Sequence, residues 1–282
     1  MATSWFPGHM ARTLREIKEM LKQVDLVIET CDARIPAASR NPELLRLIRG
    51  KPCLLVLNKE DLADPAVTRL WLEHFKSQGF EALPCNSIRR SSLKQVVLSA
   101  RRLTQEKTER ALAKGRIFRP IRILVAGIPN TGKSTLINAL SARKAAPTAD
   151  KPGVTRQLSW IKAGPLELLD SPGVLWPRID SQVRQRHLAA TGAIKDNLLS
   201  SEDIARQTLD ELCQLYPDLI RQRYLIDPQE DRLDRLEQAA RNRGCLMSGG
   251  RADIDRFAAV FLDELRGGRI GRISLELPRT AP

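Results

Sequence analysis

Apolar positions in the first 176 residues alternate between a helical period and short continuous runs. Leu14, Ile17, Met20, Leu21 and Val24 recur at helical spacing and predict an amphipathic helix over 11–24. Leu26-Val27-Ile28-Glu29-Thr30-Cys31 follows as a run of the buried-strand type. The same alternation then predicts a helix near 42–49, the strand Cys53-Leu54-Leu55-Val56-Leu57, a helix near 65–78 and a strand over 80–84. A long polar helix over 91–114 leads to the strand Ile121-Arg122-Ile123-Leu124-Val125-Ala126. After a helix over 133–141, two more strands fall near 158–162 and 166–169. Strands and helices in this order predict βαβ units and a six-strand, mostly parallel sheet. Beyond Pro177 the pattern is helical only. One helix is capped by Ser200 or Ser201 and stopped by Pro217, a second runs over 231–242 to Gly244, and a third over 254–265 leads to an extended tail over 270–277. The expectation is an α/β domain over 1–176 followed by a small all-α domain over 177–282.

With 282 residues, each part is large enough to bury a core of its own. A hydrophobic fraction of 42% beside 28% charged residues excludes a disordered chain. No apolar run approaches the roughly 20 residues that span a bilayer, and the N-terminus lacks the apolar stretch of a signal peptide. A cytoplasmic protein without membrane attachment is expected. Its five cysteines have no metal-ligand spacing and read as small core hydrophobes in a reducing compartment.

The net charge of +13 points to a polyanionic partner. Residues 1–176 hold 29 Lys and Arg against 16 acids, whereas 177–282 hold 17 of each. Within the first part, Arg89 to Arg122 has eleven cations and two acids, with almost no aromatic residues for base stacking. A solvated helix face would explain such a run. Its single sign favours a surface for RNA phosphates, with no DNA partner expected.

Gly127-Ile128-Pro129-Asn130-Thr131-Gly132-Lys133-Ser134 lies between a strand and a helix, the context in which G-x-x-x-x-G-K-S binds phosphates. Its glycines let successive N–H groups face the phosphates, and the candidate contacts are Asn130, Thr131, Gly132, Lys133, Ser134 and Thr135. Lys133 bridges the β- and γ-phosphates in this reading, and Ser134 takes a Mg²⁺ position. Asp170 of Asp170-Ser171-Pro172-Gly173 holds Mg²⁺ through water, and Gly173 offers its amide to the γ-phosphate. Thr155 completes the Mg²⁺ shell when that phosphate is present. Asn58-Lys59-Glu60-Asp61, at the end of a buried strand, fits a guanine reader. The Asp61 carboxylate accepts from N1 and N2 of the base, the Lys59 stem lies on it, and Asn86-Ser87 sits where O6 is expected. Adenine has neither donor, so GTP and GDP are the expected nucleotides.

The guanine motif precedes the phosphate loop, whereas an ordinary GTPase has them in the opposite order. The α/β part therefore reads as a circularly permuted P-loop GTPase domain, a rearrangement that close-lying termini tolerate. The segment ending at Gly173 then leads directly into the C-terminal helices.

These motifs in this order, with Trp5-Phe6-Pro7-Gly8-His9-Met10, Asp32-Ala33-Arg34-Ile35-Pro36 and Arg243-Gly244-Cys245, resemble the bacterial ribosome biogenesis GTPase A family from Trp5 to about Pro278. The resemblance implies GTP hydrolysis coupled to a late step in maturing the large ribosomal subunit. Its implied partners are the subunit precursor, 23S rRNA and ribosomal proteins. Asn86-Ser87 departs from the more usual Ser-Ala of the guanine loop, and the C-terminal part carries no net charge.

Where Ras-type enzymes place a water-orienting glutamine, this chain has Val174, which cannot hydrogen-bond water. The resemblance suggests that His9 takes over that catalytic role. Asn130 resembles the asparagine with which related GTPases hold K⁺ as a fixed charge in the transition state; asparagine is equally a common loop cap, and the sequence leaves both roles open. Val174 also leaves room for a GTP-dependent RNA-binding module with negligible turnover.

Overall fold

The computed structural model describes residues 8–115, 119–141, 158–176, 178–179, 181–194, 200–229 and 232–278. Six strands, β1 (Leu26–Asp32), β2 (Cys53–Asn58), β3 (Glu81–Cys85), β4 (Ile121–Ala126), β5 (Ser159–Ala163) and β6 (Leu166–Asp170), form one sheet in the order β3-β2-β1-β4-β6-β5. All neighbours are parallel except β5 with β6. Counted from β4, the order becomes 6-5-4-1-3-2. The phosphate loop then follows the first strand and the guanine elements follow the last two, which is the motif order of an unpermuted GTPase.

Helices cover both faces, so the central strands are apolar without alternation; every residue of β1 is buried. The helices of this part are α1 (Gly8–Met20), α2 (Pro42–Ile48), α3 (Pro65–Ser77), α4 (Arg90–Ala113) and α5 (Lys133–Ser141). On one face, Leu26, Ile28, Val56 and Val125 pack with Val96 and Ala100 of α4 and Leu136 and Ile137 of α5. On the other, Val27, Leu124 and Leu169 pack in one cluster with Ile17 and Leu21 from the α1 segment. Asn41 and Asp64 cap α2 and α3, each followed by proline at the first helical position.

The C-terminal part contains α6 (Gln182–Ala190), α7 (Ser201–Leu215), α8 (Pro217–Tyr224), α9 (Arg232–Asn242) and α10 (Ile254–Arg266). Two of these depart from expectation. Pro217 ends α7 but also opens α8, because a missing N–H costs nothing in a first turn. The α6 segment hides its apolar residues as the consecutive Leu188, Ala189 and Ala190, which carry no helical period. Ser200 caps α7 as expected, accepting from Asp203 N. Phe257 and Phe261 of α10 are fully buried with Tyr224, and their cluster is continuous with the α1 face of the sheet.

After α10 the chain runs back across the α/β part. Ile273 N donates to Leu62 O and Leu275 N to Arg34 O, both at 2.9 Å. The Glu276 carboxylate accepts from Ala37 N at 2.8 Å and Ala38 N at 3.1 Å, and Trp71 Nε1 donates to Glu276 O at 2.9 Å. Among the described residues no helix is long and apolar enough to cross a membrane. The five cysteines are free thiols, and Cys31, Cys85, Cys213 and Cys245 are buried.

Candidate active site

The described phosphate, Asp170 and guanine motifs lie at the carboxyl edge of the parallel strands, where ligands of open α/β sheets bind. β4 delivers the phosphate loop, β6 delivers Asp170, β2 delivers Asn58 and β3 delivers Asn86 and Ser87. The loop is cramped: Gly132 has φ of +84°, and a Cβ there would stand 2.1 Å from Asn58 Nδ2. Gly173 approaches the same loop so closely that a Cβ would meet Pro129 N at 2.7 Å.

Lys133 opens α5, is buried, and donates to Ile128 O at 2.7 Å. Burial pushes its ammonium down to about 8, with Asp170 opposing and Lys59 adding repulsion. A buried cation beside a helix N-terminus, with backbone N–H groups around it, suits a polyanion. Ser134 and Asp170 supply the hard oxygen donors that fit Mg²⁺, and Asp170 is 1% exposed. Thr135 is exposed. The Thr131 hydroxyl turns inward instead, donating to Ile128 O at 3.0 Å and lying 2.7 Å from Thr30 Oγ1, so only its backbone can face phosphates. The His9 side chain and Thr155 lie outside the described residues.

Asn58 braces three loops: its Nδ2 donates to Thr131 O at 2.9 Å and its Oδ1 accepts from Ser87 Oγ at 2.7 Å. Lys59 takes a left-handed φ of 57°, a conformation that costs a non-glycine residue about 1–2 kcal/mol. Its Nζ lies 3.5 Å from Asp32 Oδ2 and 3.4 Å from Asn130 Oδ1, so its stem spans the gap between guanine motif and phosphate loop. Glu60 N is tied to Cys85 O at 3.2 Å. Asp61 is half-buried and accepts no hydrogen bond from the described residues. The Asn86 Oδ1 accepts from Ile88 N at 2.9 Å, which shapes the guanine loop.

Val174 is 2% exposed and belongs to the hydrophobic core. Its backbone is held on both sides, with N donating to Gly127 O at 3.3 Å and O accepting from Asn41 Nδ2 at 2.7 Å. His187 is also buried, 3.1 Å from Glu211 and 3.5 Å from Glu276. His74 is half-exposed, with Nε2 3.0 Å from Gln78.

Sequence reasoning gave no role to Asp32 and Arg34. Arg34 is fully buried, with Nε and Nη2 on the Asp32 carboxylate at 2.9 and 2.7 Å and Nη1 donating to Leu265 O at 3.0 Å. Burial alone would raise the Asp32 carboxyl, yet Arg34 and Lys59 outweigh it and hold it down to about 2. A second unforeseen link joins Asn130 Nδ2 to Thr191 O, the C-cap of α6, at 3.0 Å. The signal for the first pair was the cluster of polar residues ending an apolar strand; the second has none.

A family model described as 50S ribosome-binding GTPase matches residues 122–242. Ribosome biogenesis GTPase A of Priestia megaterium is 46% identical over 284 residues, covering 100% of this chain and 99% of that protein. Its namesake in Bacillus cereus is 44% identical over 280 residues, covering 99% of this chain and 95% of that one. Among solved structures, GDP-bound TM YlqF has a TM-score of 0.68 at 28% identity, over 94% of this chain and 100% of that chain. GNP-bound YlqF from T. maritima gives 0.66 at 28% identity, over 95% and 98%. Similarity along the whole length, on a permuted sheet with its phosphate and guanine motifs converging at one edge, makes this chain a GTP hydrolase of the ribosome biogenesis GTPase A family.

Proposed function

We propose that this GTPase acts in the cytoplasm as a switch in late assembly of the large (50S) ribosomal subunit, contacting 23S rRNA and ribosomal proteins of the precursor. The observation that carries this reading is the bond from Asn130 of the phosphate loop to Thr191 O at the end of α6. It gives the nucleotide site a direct hold on the helical part, 177–282, which takes the RNA-facing role together with α4. Of the eleven cations between Arg89 and Arg122, five meet acids of this chain (Arg102, Lys107, Arg110, Arg119 and Arg122). Arg89, Arg90, Lys94 and Arg101 are exposed and leave a surface for RNA phosphates.

In the reaction, Lys133 and the loop amides draw charge from the β- and γ-phosphates. Asp61 reads guanine N1 and N2. Ser87 already serves Asn58, so O6 falls to the Asn86 side chain or to loop amides. Ser134, Asp170 and Thr155 would hold Mg²⁺, which would neutralise phosphate charge. Because Val174 faces the core, His9 orients the water that attacks the γ-phosphorus; the bond to the bridging oxygen breaks, leaving GDP and phosphate. Asn130 has a cation of the chain, Lys59, against its carbonyl oxygen; that oxygen would also hold K⁺, which would supply a fixed positive charge beside the phosphates.

The test is GTP hydrolysis in potassium and in sodium salts, with and without purified large subunits, at two ionic strengths. Stimulation by subunits that fades with salt and is greater in potassium is expected. Turnover indifferent to subunits would overturn the assembly-switch reading.

A further inference from the structure

A second set of cations gathers away from the exposed face of α4. Between α1 and α2 lies a groove of about 660 Å³ lined by Arg15, Lys18, Lys22, Arg46, Arg49 and Lys51, with Glu43 as its acid. Glu43 is taken up by Arg46 at 2.8 Å. Arg15, Lys18, Lys22 and Arg49 are exposed, and no acid among the described residues pairs with them.

The groove is continuous with the basic helix. Lys51 donates to Val24 O at 3.0 Å, beside Asp25. Asp25 in turn holds Lys107 of α4 at 2.7 Å and Arg119 at 2.8 Å. Burial lowers the Lys51 ammonium, and repulsion from Lys107 lowers it further, as expected where cations outnumber acids. This belt follows the amino edge of the sheet, where Leu26 begins β1, Cys53 begins β2 and Ile121 begins β4. Strands rise about 3.3 Å per residue, so it lies some 20 Å from the phosphate loop and is no part of the nucleotide site.

We infer that the groove between α1 and α2 is a docking surface for the sugar–phosphate backbone of duplex RNA. Neither the groove wall nor α4 carries an aromatic residue, so there is no platform on which unpaired bases could stack. Duplex RNA is recognised through phosphates and shape, for which long cationic side chains on two helices suffice. The inference rests on the reading of this GTPase as an RNA-contacting protein.

Two groove variants, Lys18→Glu/Arg49→Glu and the milder Lys18→Gln/Arg49→Gln, are compared with Arg90→Glu/Arg101→Glu on α4. Probes are a duplex RNA of about 20 base pairs, a single strand of equal length and phosphatidylserine vesicles, each titrated at several salt concentrations. Both groove variants are expected to bind the duplex about tenfold or more weakly, with the log–log salt slope reduced by about two, while GDP affinity stays at the parent value. Parent-like duplex binding by the groove variants, alongside loss in the α4 variant, would overturn the groove and leave the RNA reading standing. A parent that prefers the single strand, or vesicles to RNA, would also overturn it. A parent that binds neither RNA nor large subunits would sink the underlying reading itself.

Discussion

Replacing Arg34 by alanine should be among the most damaging single changes in the α/β part. The side chain is fully buried, and its three hydrogen bonds run from a charged donor to the Asp32 carboxylate and to Leu265 O. Such bonds are worth about 1.5–3 kcal/mol each, which bounds the gross loss. Lys59 remains 3.5 Å from Asp32 and offsets part of it. Breaking a buried pair from one side costs about 3–5 kcal/mol. At an unfolding entropy of about 2.1 cal/mol/K per residue, that lowers the melting temperature of this 282-residue chain by about 5–8 °C. Urea titration with an unchanged m-value and a thermal scan read both numbers. Asp32→Asn/Arg34→Met, which removes both charges, should recover a large share of the loss. The acid limb gives a second readout. The Asp32 carboxyl titrates at about 2 when folded against a reference of 3.8, so its contribution is complete above the reference value and disappears as pH falls through the folded one. Arg34→Ala should flatten that limb. A loss below about 1 kcal/mol, or a double variant no better than the single, would refute the reasoning.

Lys133 is held down to about 8 by burial, and bound phosphates favour its charged form, so nucleotide binding should take up a proton as pH rises through that value. GDP affinity should be flat below pH 8 and decline above it; calorimetry in buffers of different ionisation enthalpy checks the proton count. His187 is raised because Glu211 and Glu276 outweigh its burial, so it stabilises tail docking fully below the ordinary histidine value of 6.5 and loses that effect as pH rises through its folded value. Protection from hydrogen exchange over 273–277, taken relative to the intrinsic rate at each pH, should therefore fall from pH 6 to pH 8, and His187→Gln should abolish that fall. Arg272 donates to Ala63 O at 2.8 Å and Glu60 O at 2.7 Å. Because its side chain is exposed, Arg272→Ala should cost little stability, about 1 kcal/mol or less, yet weaken GDP binding several-fold in a fluorescence titration. An unchanged affinity would show that the tail does not support the guanine motif.

The motifs were legible because each is a short run of fixed chemistry at the end of an apolar strand, and strand ends are what a period-based reading locates best. Lys133, Asp170 and Asn58 stand at the edge where the pattern put them. What escaped was direction and distance. The sequence marks Thr131 as a phosphate contact without a direction for its hydroxyl, which loop curvature turns toward Thr30, leaving the backbone for phosphates. Asn58 also serves as a brace, which the sequence does not show because its partners Thr131 and Ser87 are 73 and 29 positions away. Arg34 carried the charge of a surface residue, and nothing local marks a partner 231 positions downstream. The α6 helix was unreadable for a different reason: its apolar residues are consecutive, so no periodic face exists to detect.

The C-terminal helices are fastened at both ends of the nucleotide cleft. At one end Asn130 holds Thr191; at the other, Arg272 and Ile273 hold the backbone of residues 60–63. A body attached at one point can swing in any direction, but a body attached at two can only turn about the line joining them. Arg34 Nη1 on Leu265 O adds a third fastening, at the end of α10, so a swing of these helices as a body has to release at least one of the three.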